Sequence, residues 1–268
     1  MIELERAEFV AQTATGEVRV LQPTSLRLAE RRIALIGANG SGKSTLARML
    51  NGLIEPTAGA VRLSVDAGAG GRAGSGTETR GDRPLDTVRD GGAVRRLVGF
   101  VFTDPAAQLV MPTAIEDVAL SLRRTHPRKA DRVAAARAAL ARFDLESLAD
   151  RSVHTLSGGQ KQMLAIASVL AAEPTILVAD EPTTLLDLRN SRLVSDLLLG
   201  LPQQMIVATH DLDLAARCDR AIVIADGAVA YDSYDSAVAR DSADAGPAGE
   251  AGPHEAVARA IDWYRASV

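Results

Sequence analysis

One stretch constrains this chain more than any other. Gly37-Ala38-Asn39-Gly40-Ser41-Gly42-Lys43-Ser44-Thr45 follows directly on the apolar run IALI (33–36) and leads into the helical pattern LARMLNGL. A strand that turns over glycines into a helix aims consecutive backbone N–H groups at one point, and the positive end of the helix adds to them. With Lys and Ser at the helix start, the pattern is a cradle for nucleotide phosphates: Lys43 on the β and γ phosphates, Ser44 on Mg²⁺. The plainer alternative is a glycine turn that carries Lys-Ser by chance.

That loop fits an α/β fold, and the rest of the chain agrees. IALI (33–36), VGFVF (98–102), ILVAD (176–180), MIVAT (205–209) and AIVIA (221–225) are short and apolar almost throughout, as strands of a parallel sheet covered on both faces should be. IELERAEFV and VRVLQPTSLRL alternate instead, and they predict an antiparallel sheet flanking the parallel one. Residues 113–122 and 130–143 predict an inserted α-helical subdomain over about 108–156, with Val133, Ala136, Leu140 and Phe143 on one face. Two segments lack the apolar residues needed to order themselves: a Gly-rich insertion at 66–92 and a linker at 241–253. The body is expected over 1–232. A linker and a short amphipathic helix (254–267, with Val257, Ile261 and Tyr264) follow in 233–268.

Composition excludes several classes. Thirty Lys plus Arg against 34 Asp plus Glu give a net charge of −4, so no global field favours nucleic acid. The longest apolar runs, such as MLAIASVLAA (163–172), fall short of the roughly 20 residues needed to cross a bilayer. The one cysteine, Cys218, cannot form an intramolecular disulfide, and MIELERAEFV is acidic where a secretory signal is basic then apolar. A reducing, cytoplasmic setting is expected. Cys218 is expected to be small and semi-buried, and His126 and His154 to be solvated or capping.

Asp180 and Glu181 end the ILVAD strand, and ligands of open α/β sheets sit at the carboxyl ends of strands. One carboxylate is wanted for Mg²⁺, here Asp180, and one to orient or deprotonate the attacking water, here Glu181. An N-cap with a solvated neighbour is the plainer alternative. Leu156-Ser157-Gly158-Gly159-Gln160 precedes a long helix and is a second anion-binding helix start, or else a Ser N-cap with a Gly-Gly turn. One fold has no need of two γ-phosphate cradles, so the second is read as serving the nucleotide of another subunit.

In this order the motifs resemble those of the ATPase subunits of ABC transporters, over residues 2–231: Walker A at 37–45, the signature at 156–160, Walker B with Asp180 and Glu181, the D-loop position Asp187 and the switch histidine His210. The resemblance implies a P-loop NTPase with a RecA-like core, an antiparallel β flank and an inserted helical subdomain. It also implies ATP and Mg²⁺ bound between two head-to-tail ATPase subunits, either a homodimer or a paralogue pair. Lys43, Glu181 and His210 are the catalytic groups it implies, with His210 on the γ phosphate. The run VGFVFTDPAAQLVMPTAIEDVALSL is most similar to the energy-coupling-factor type, matched at Pro105, Gln108, Thr113, Glu116, Asp117, Val118 and Ala119. That type implies a transmembrane coupling subunit and a substrate-binding membrane subunit, no nucleic acid, and a peripheral place on the cytoplasmic face of the membrane. The cargo would be a vitamin, with biotin favoured, or cobalt or nickel. The alternatives are a soluble ABC-type ATPase outside transport and a weakly active half acting as a structural partner.

The family pattern is broken twice. Thr103 stands where the Q-loop glutamine belongs, and its shorter side chain predicts slower hydrolysis than in relatives. Where an aromatic usually stacks on adenine the chain reads Val10-Ala11-Gln12, which predicts weak discrimination of ATP from GTP.

Overall fold

The computed structural model describes residues 1–14, 16–64, 83–234 and 252–267. The chain forms two compact units, Met1–Val98 with Ala208–Val268, and Gly99–Val207. In chain order the first unit opens with β1 (Ile2–Thr13), β2 (Gly16–Leu28), β3 (Arg32–Ile36), α1 (Lys43–Leu50), β4 (Ala58–Leu63), β5 (Leu85–Asp86) and α2 (Gly91–Leu97). The second unit holds β6 (Val98–Val101) from its second residue onward, α3 (Ala114–Ser121), α4 (Lys129–Ala141), α5 (Gly158–Ala171), β7 (Ile176–Asp180), α6 (Leu188–Gly200) and most of β8 (Gln204–Thr209). The chain returns to the first unit for α7 (Leu212–Ala215), β9 (Arg220–Ala225), β10 (Ala228–Asp232) and α8 (Pro253–Ser267).

In the first unit, the two alternating N-terminal segments pair antiparallel as β1 and β2, closing at Thr13 opposite Gly16. β4 adds to the other edge of β1 and β5 to β4, giving the order β2-β1-β4-β5. β3 is buried along its whole length and runs parallel to β9, from Ile33 opposite Arg220 to Ile36 opposite Val223. β10 folds back antiparallel on β9 through a turn at Asp226 and Gly227, both at positive φ. Arg220 begins β9 in a buried position because its guanidinium makes four hydrogen bonds: 2.9 and 2.6 Å to Asp232, 3.0 Å to Glu30 and 2.6 Å to the carbonyl of Arg27. Burial alone would lower the Arg220 pKa, but the bonds to Asp232 and Glu30 outweigh it and raise it. α8 packs on β9 and α7 through buried Val257, Ala260 and Ile261, and Trp263 meets Tyr231 at 5.9 Å between ring centroids. Burying Val257 and Ile261 stabilises by roughly 1.5–3 kcal/mol each.

In the second unit the strands lie in the order β8-β7-β6, with β7 wholly buried. α3 packs against α4, and both pack against α5. α4 buries Ala136 and Leu140, and Phe143 follows it into the core, but Val133 is 37% exposed. The expected four-residue face is therefore one residue shorter, since this Ala- and Arg-rich helix has a narrow apolar stripe. Residues 83–92, placed by sequence in the Gly-rich insertion, carry β5, a turn held by Asp86 and Asp90, and the start of α2. The remainder of that insertion, 66–82, and most of the linker, 241–251, lie outside the described residues.

Candidate active site

The first unit holds the glycine loop. β3 ends at Ile36 and α1 begins at Lys43, so residues 37–42 make the whole turn. Gly37 has room for nothing larger: a Cβ would stand 2.2 Å from the carbonyl oxygen of Ile224 and 2.7 Å from Ser41 Oγ. Gly42 caps α1 at φ +103°, and a Cβ there would stand 2.8 Å from the carbonyl of Val20. Ala38, Asn39 and Gly40 are exposed, whereas Gly37, Ser41 and Lys43 are buried. Lys43 Nζ curls back to donate to the carbonyls of Gly37 (2.6 Å) and Ala38 (2.9 Å). Phosphate oxygens are charged acceptors and stronger partners for an ammonium than those two carbonyls. Ser41 Oγ is buried with no hydrogen-bond partner among the described residues. Unobstructed amides, a buried ammonium and an orphaned hydroxyl at a helix start are the donor set that a polyphosphate requires.

His210 follows β8 in the same unit and is exposed. It is not the cap of α7. Asp211 takes that role, accepting from the amides of Asp213 (3.0 Å) and Leu214 (3.1 Å). On β1, Val10, Ala11 and Gln12 pair with Arg19, Val18 and Glu17, and the Gln12 amide donates to Glu17 at 2.8 Å.

The second unit holds the carboxylates. Asp180 is fully buried at the end of β7, and Glu181, 8% exposed, turns the chain at φ +51°, a left-handed conformation uncommon outside glycine. Thr184 Oγ1 donates to Glu181 Oε2 at 3.0 Å and fixes that carboxylate from three residues on. Thr103 Oγ1 donates to the main-chain carbonyl of Asp180 at 3.0 Å. The hydroxyl at the Q-loop position is thus committed to the backbone of the strand that carries the carboxylates.

The signature and the D-loop position meet in this unit. Ser157 caps α5 with a full capping box: it accepts from Gln160 N at 3.3 Å, and Gln160 Oε1 accepts from Ser157 N at 2.9 Å. The plainer reading of Ser157 is therefore true of the fold, and it leaves Gly158 exposed at the helix start. Asp187 caps α6, accepting from Asn190 N (2.8 Å) and Asn190 Nδ2 (3.0 Å). Gly159 is buried against Asn190. Leu156 is buried.

Sequence reasoning missed Thr184 and Asn190. Both sit three residues after the group they bond, Glu181 and Asp187, a spacing that the helix and turn geometry makes local. The remaining titratable groups stay outside the site. His154 is exposed, and His126 Nδ1 lies 3.0 Å from Thr125 Oγ1. Cys218, expected to be semi-buried, is fully buried, with its Sγ 3.6 Å from the carbonyl of Leu214 on α7; burial, with Asp219 adding, pushes its thiol up to about 12.

Residues 21–184 match the family model described as ABC transporter. The chain is 44% identical over 217 residues to a putative ABC transporter ATP-binding protein of Bartonella quintana, covering 81% of this chain and 88% of that one. It is 42% identical to the biotin transport ATP-binding protein BioM of Rhizobium etli, covering 83% and 90%. Among solved structures it is similar to an ATP-binding cassette captured as a dimer after hydrolysis with ADP and phosphate, at TM-score 0.72 and 28% identity over 87% of this chain and 97% of that one. It is also similar to cbiO1 of Clostridium perfringens, part of the ABC transporter complex cbiONQ, at TM-score 0.68 and 29% identity over 86% and 87%. A glycine cradle, buried strand-end carboxylates and a capped signature helix thus occur in a chain whose sequence and fold match ATP-binding cassettes: the protein belongs to the ABC transporter ATP-binding family and is an ATP-hydrolysing subunit of a transporter.

Proposed function

We propose that this subunit powers an importer of the energy-coupling-factor type, with a transmembrane coupling subunit and a separate membrane protein that binds the cargo. The observation that carries the reading is the 105–119 segment. Its Pro105–Ala107 turn presents Gln108, and Thr113, Glu116 and Asp117 follow at the family spacing. BioM and cbiO1 support the same branch. Biotin is the favoured cargo, with cobalt or nickel next. The chain has no helix long and apolar enough to cross a membrane among its described residues, so the membrane-spanning parts are assigned to those partners and this subunit to the cytoplasmic face.

In this reading residues 1–232 form the ATPase domain. The backbone amides of 37–45 wrap the phosphates and Lys43 neutralises the β and γ phosphates; Ser44 and Asp180 would hold Mg²⁺, which would supply positive charge to the phosphates. Glu181 orients and deprotonates the attacking water, and its carboxylate is steadied by Thr184. His210 contacts the γ phosphate. Leu156, Ser157, Gly158, Gly159 and Gln160 of one subunit complete the ATP site of a second copy or a paralogue, with Asp187 at the junction; a homodimer is the default by symmetry.

The test is reconstitution with the membrane subunits in proteoliposomes. Uptake of labelled biotin that depends on ATP, and that vanishes in Glu181→Gln while nucleotide binding persists, is the expected result. Transport of Co²⁺ or Ni²⁺ instead would move the cargo assignment. Hydrolysis unaffected by any membrane subunit would remove the importer reading.

A further inference from the structure

The second unit contains a continuous set of side-chain bonds that begins at the metal carboxylate strand and ends on the signature helix. Thr103 Oγ1 donates to the carbonyl of Asp180 (3.0 Å). Next to it in the chain, Phe102 N donates to Gln108 Oε1 (3.2 Å), and Gln108 Nε2 donates to the carbonyl of Ala165 on α5 (3.0 Å). One turn further along α5, Ser168 Oγ donates to Asp117 Oδ1 (3.0 Å), while Asp117 Oδ2 accepts from the amides of Val110 (2.8 Å) and Met111 (3.0 Å). Ala165 is fully buried, and Ser168 and Asp117 are 4% exposed, so water competes little for the Ser168–Asp117 bond, while Thr103 and Gln108 are half-buried. The 103–111 loop is therefore bonded at one end to the β7 terminus, through Gln108 to α5, and at its far end to Asp117 of α3, which Ser168 of α5 also holds; the signature lies at the start of α5.

We propose that Thr103 and Gln108 are positioning residues for ATP hydrolysis: Thr103 fixes the main chain at Asp180, and Gln108 ties that fixed strand end to the signature helix, so that both move as one body. The substitution of Thr for Gln at position 103 is then an exchange of function. A glutamine is too long to make a bond from the atom next to Cβ to the Asp180 carbonyl, and it would reach past it. The short β-branched hydroxyl reaches that carbonyl with a single stiff torsion. Losing a placement group of this kind lowers turnover and leaves ground-state binding of nucleotide alone.

This inference rests on the metal-holding role proposed for Asp180. The experiment measures kcat, KM, nucleotide Kd and melting temperature for Thr103→Val, Thr103→Ser, Gln108→Leu, Gln108→Glu and the double variant Thr103→Val with Gln108→Leu. Removing one such bond is expected to lower kcat by about threefold to tenfold, with Kd unchanged. Thr103→Ser should restore turnover. Gln108→Glu, which keeps the acceptor for Phe102 but loses the donor to Ala165, should fall as far as Gln108→Leu. The double variant should be no slower than the worse single one, because both residues act on one path. Wild-type turnover in Thr103→Val, failure of Thr103→Ser to restore it, or a double variant at the product of the two single effects would each overturn the proposal. Should Thr103→Val fail to fold, the Gln108 pair decides the same question. Hydrolysis that survives Asp180→Asn would overturn the role of Asp180 instead, which keeps the two failures apart.

Discussion

Gly159 and Asn190 meet with no room for a side chain between them: a Cβ on Gly159 would stand 2.7 Å from Cγ and Oδ1 of Asn190. Asn190 is in turn held by both carboxylate oxygens of Asp187. Gly159→Ala is therefore expected to displace the α6 cap and to cut ATP turnover by about tenfold or more, the usual scale for a misplaced catalytic element. Nucleotide affinity of the isolated subunit should not change. Gly158→Ala, whose Cβ would find its nearest atom at 3.8 Å, is the control. It should fold as well as the parent, and because Gly158 itself belongs to the signature, melting temperature and not hydrolysis separates the two; steady-state hydrolysis beside a nucleotide-binding titration reads Gly159→Ala against the parent.

The loop glycines differ in the same way. A Cβ on Gly37 collides with backbone at 2.2 Å, whereas one on Gly40 meets nothing within 4 Å and suffers only from its φ of +82°. Gly40→Ala should cost about 1–2 kcal/mol of local strain and retain a cooperative melt. Gly37→Ala should lower the melting temperature much further. A thermal scan that ranks them in the opposite order would contradict the geometry.

At the hairpin of β1 and β2 no aromatic ring occupies Val10, Ala11 or Gln12. Base stacking is worth roughly 1–3 kcal/mol per base in nucleic-acid platforms. The expected outcome is a GTP Kd within about tenfold of the ATP Kd, and Val10→Tyr should tighten ATP by part of that stacking energy. Competition titrations against a fluorescent nucleotide read both.

Cys218 sets an alkaline dependence. Its ordinary value is 9.0, and burial pushes it to about 12 in the fold. The folded state thus holds the proton more tightly, so the stabilisation is complete below pH 9 and is lost as pH rises toward 12. The slope is at most about 1.4 kcal/mol per pH unit for one proton. Urea unfolding at pH 8, 9.5 and 10.5 should show a steeper fall for the parent than for Cys218→Ala.

Much of the fold was legible because apolar strands covered on both faces announce themselves: all five expected strands occur, with β3, β7, β8 and β9 shifted by no more than one residue at an end. β4 and β10 were not, since AGAVRL and AVAYD carry small or mixed residues whose pairing is decided by the strands beside them. The motif residues were readable as types. Their partners were not: the Thr103 hydroxyl is bonded 77 positions away at Asp180, and no local pattern encodes that. Val133 shows the same limit, since helical spacing gives a face but not how much of it the neighbours cover.

The left-handed backbone of Glu181 sets stability against turnover at one torsion. A side chain bearing a Cβ is held at φ +51°, at a cost of order 1–2 kcal/mol. Glu181→Gly relieves that strain while deleting the carboxylate, so it should melt higher than the parent and hydrolyse no ATP. A screen for thermostability alone would therefore drift toward inactive chains at this position.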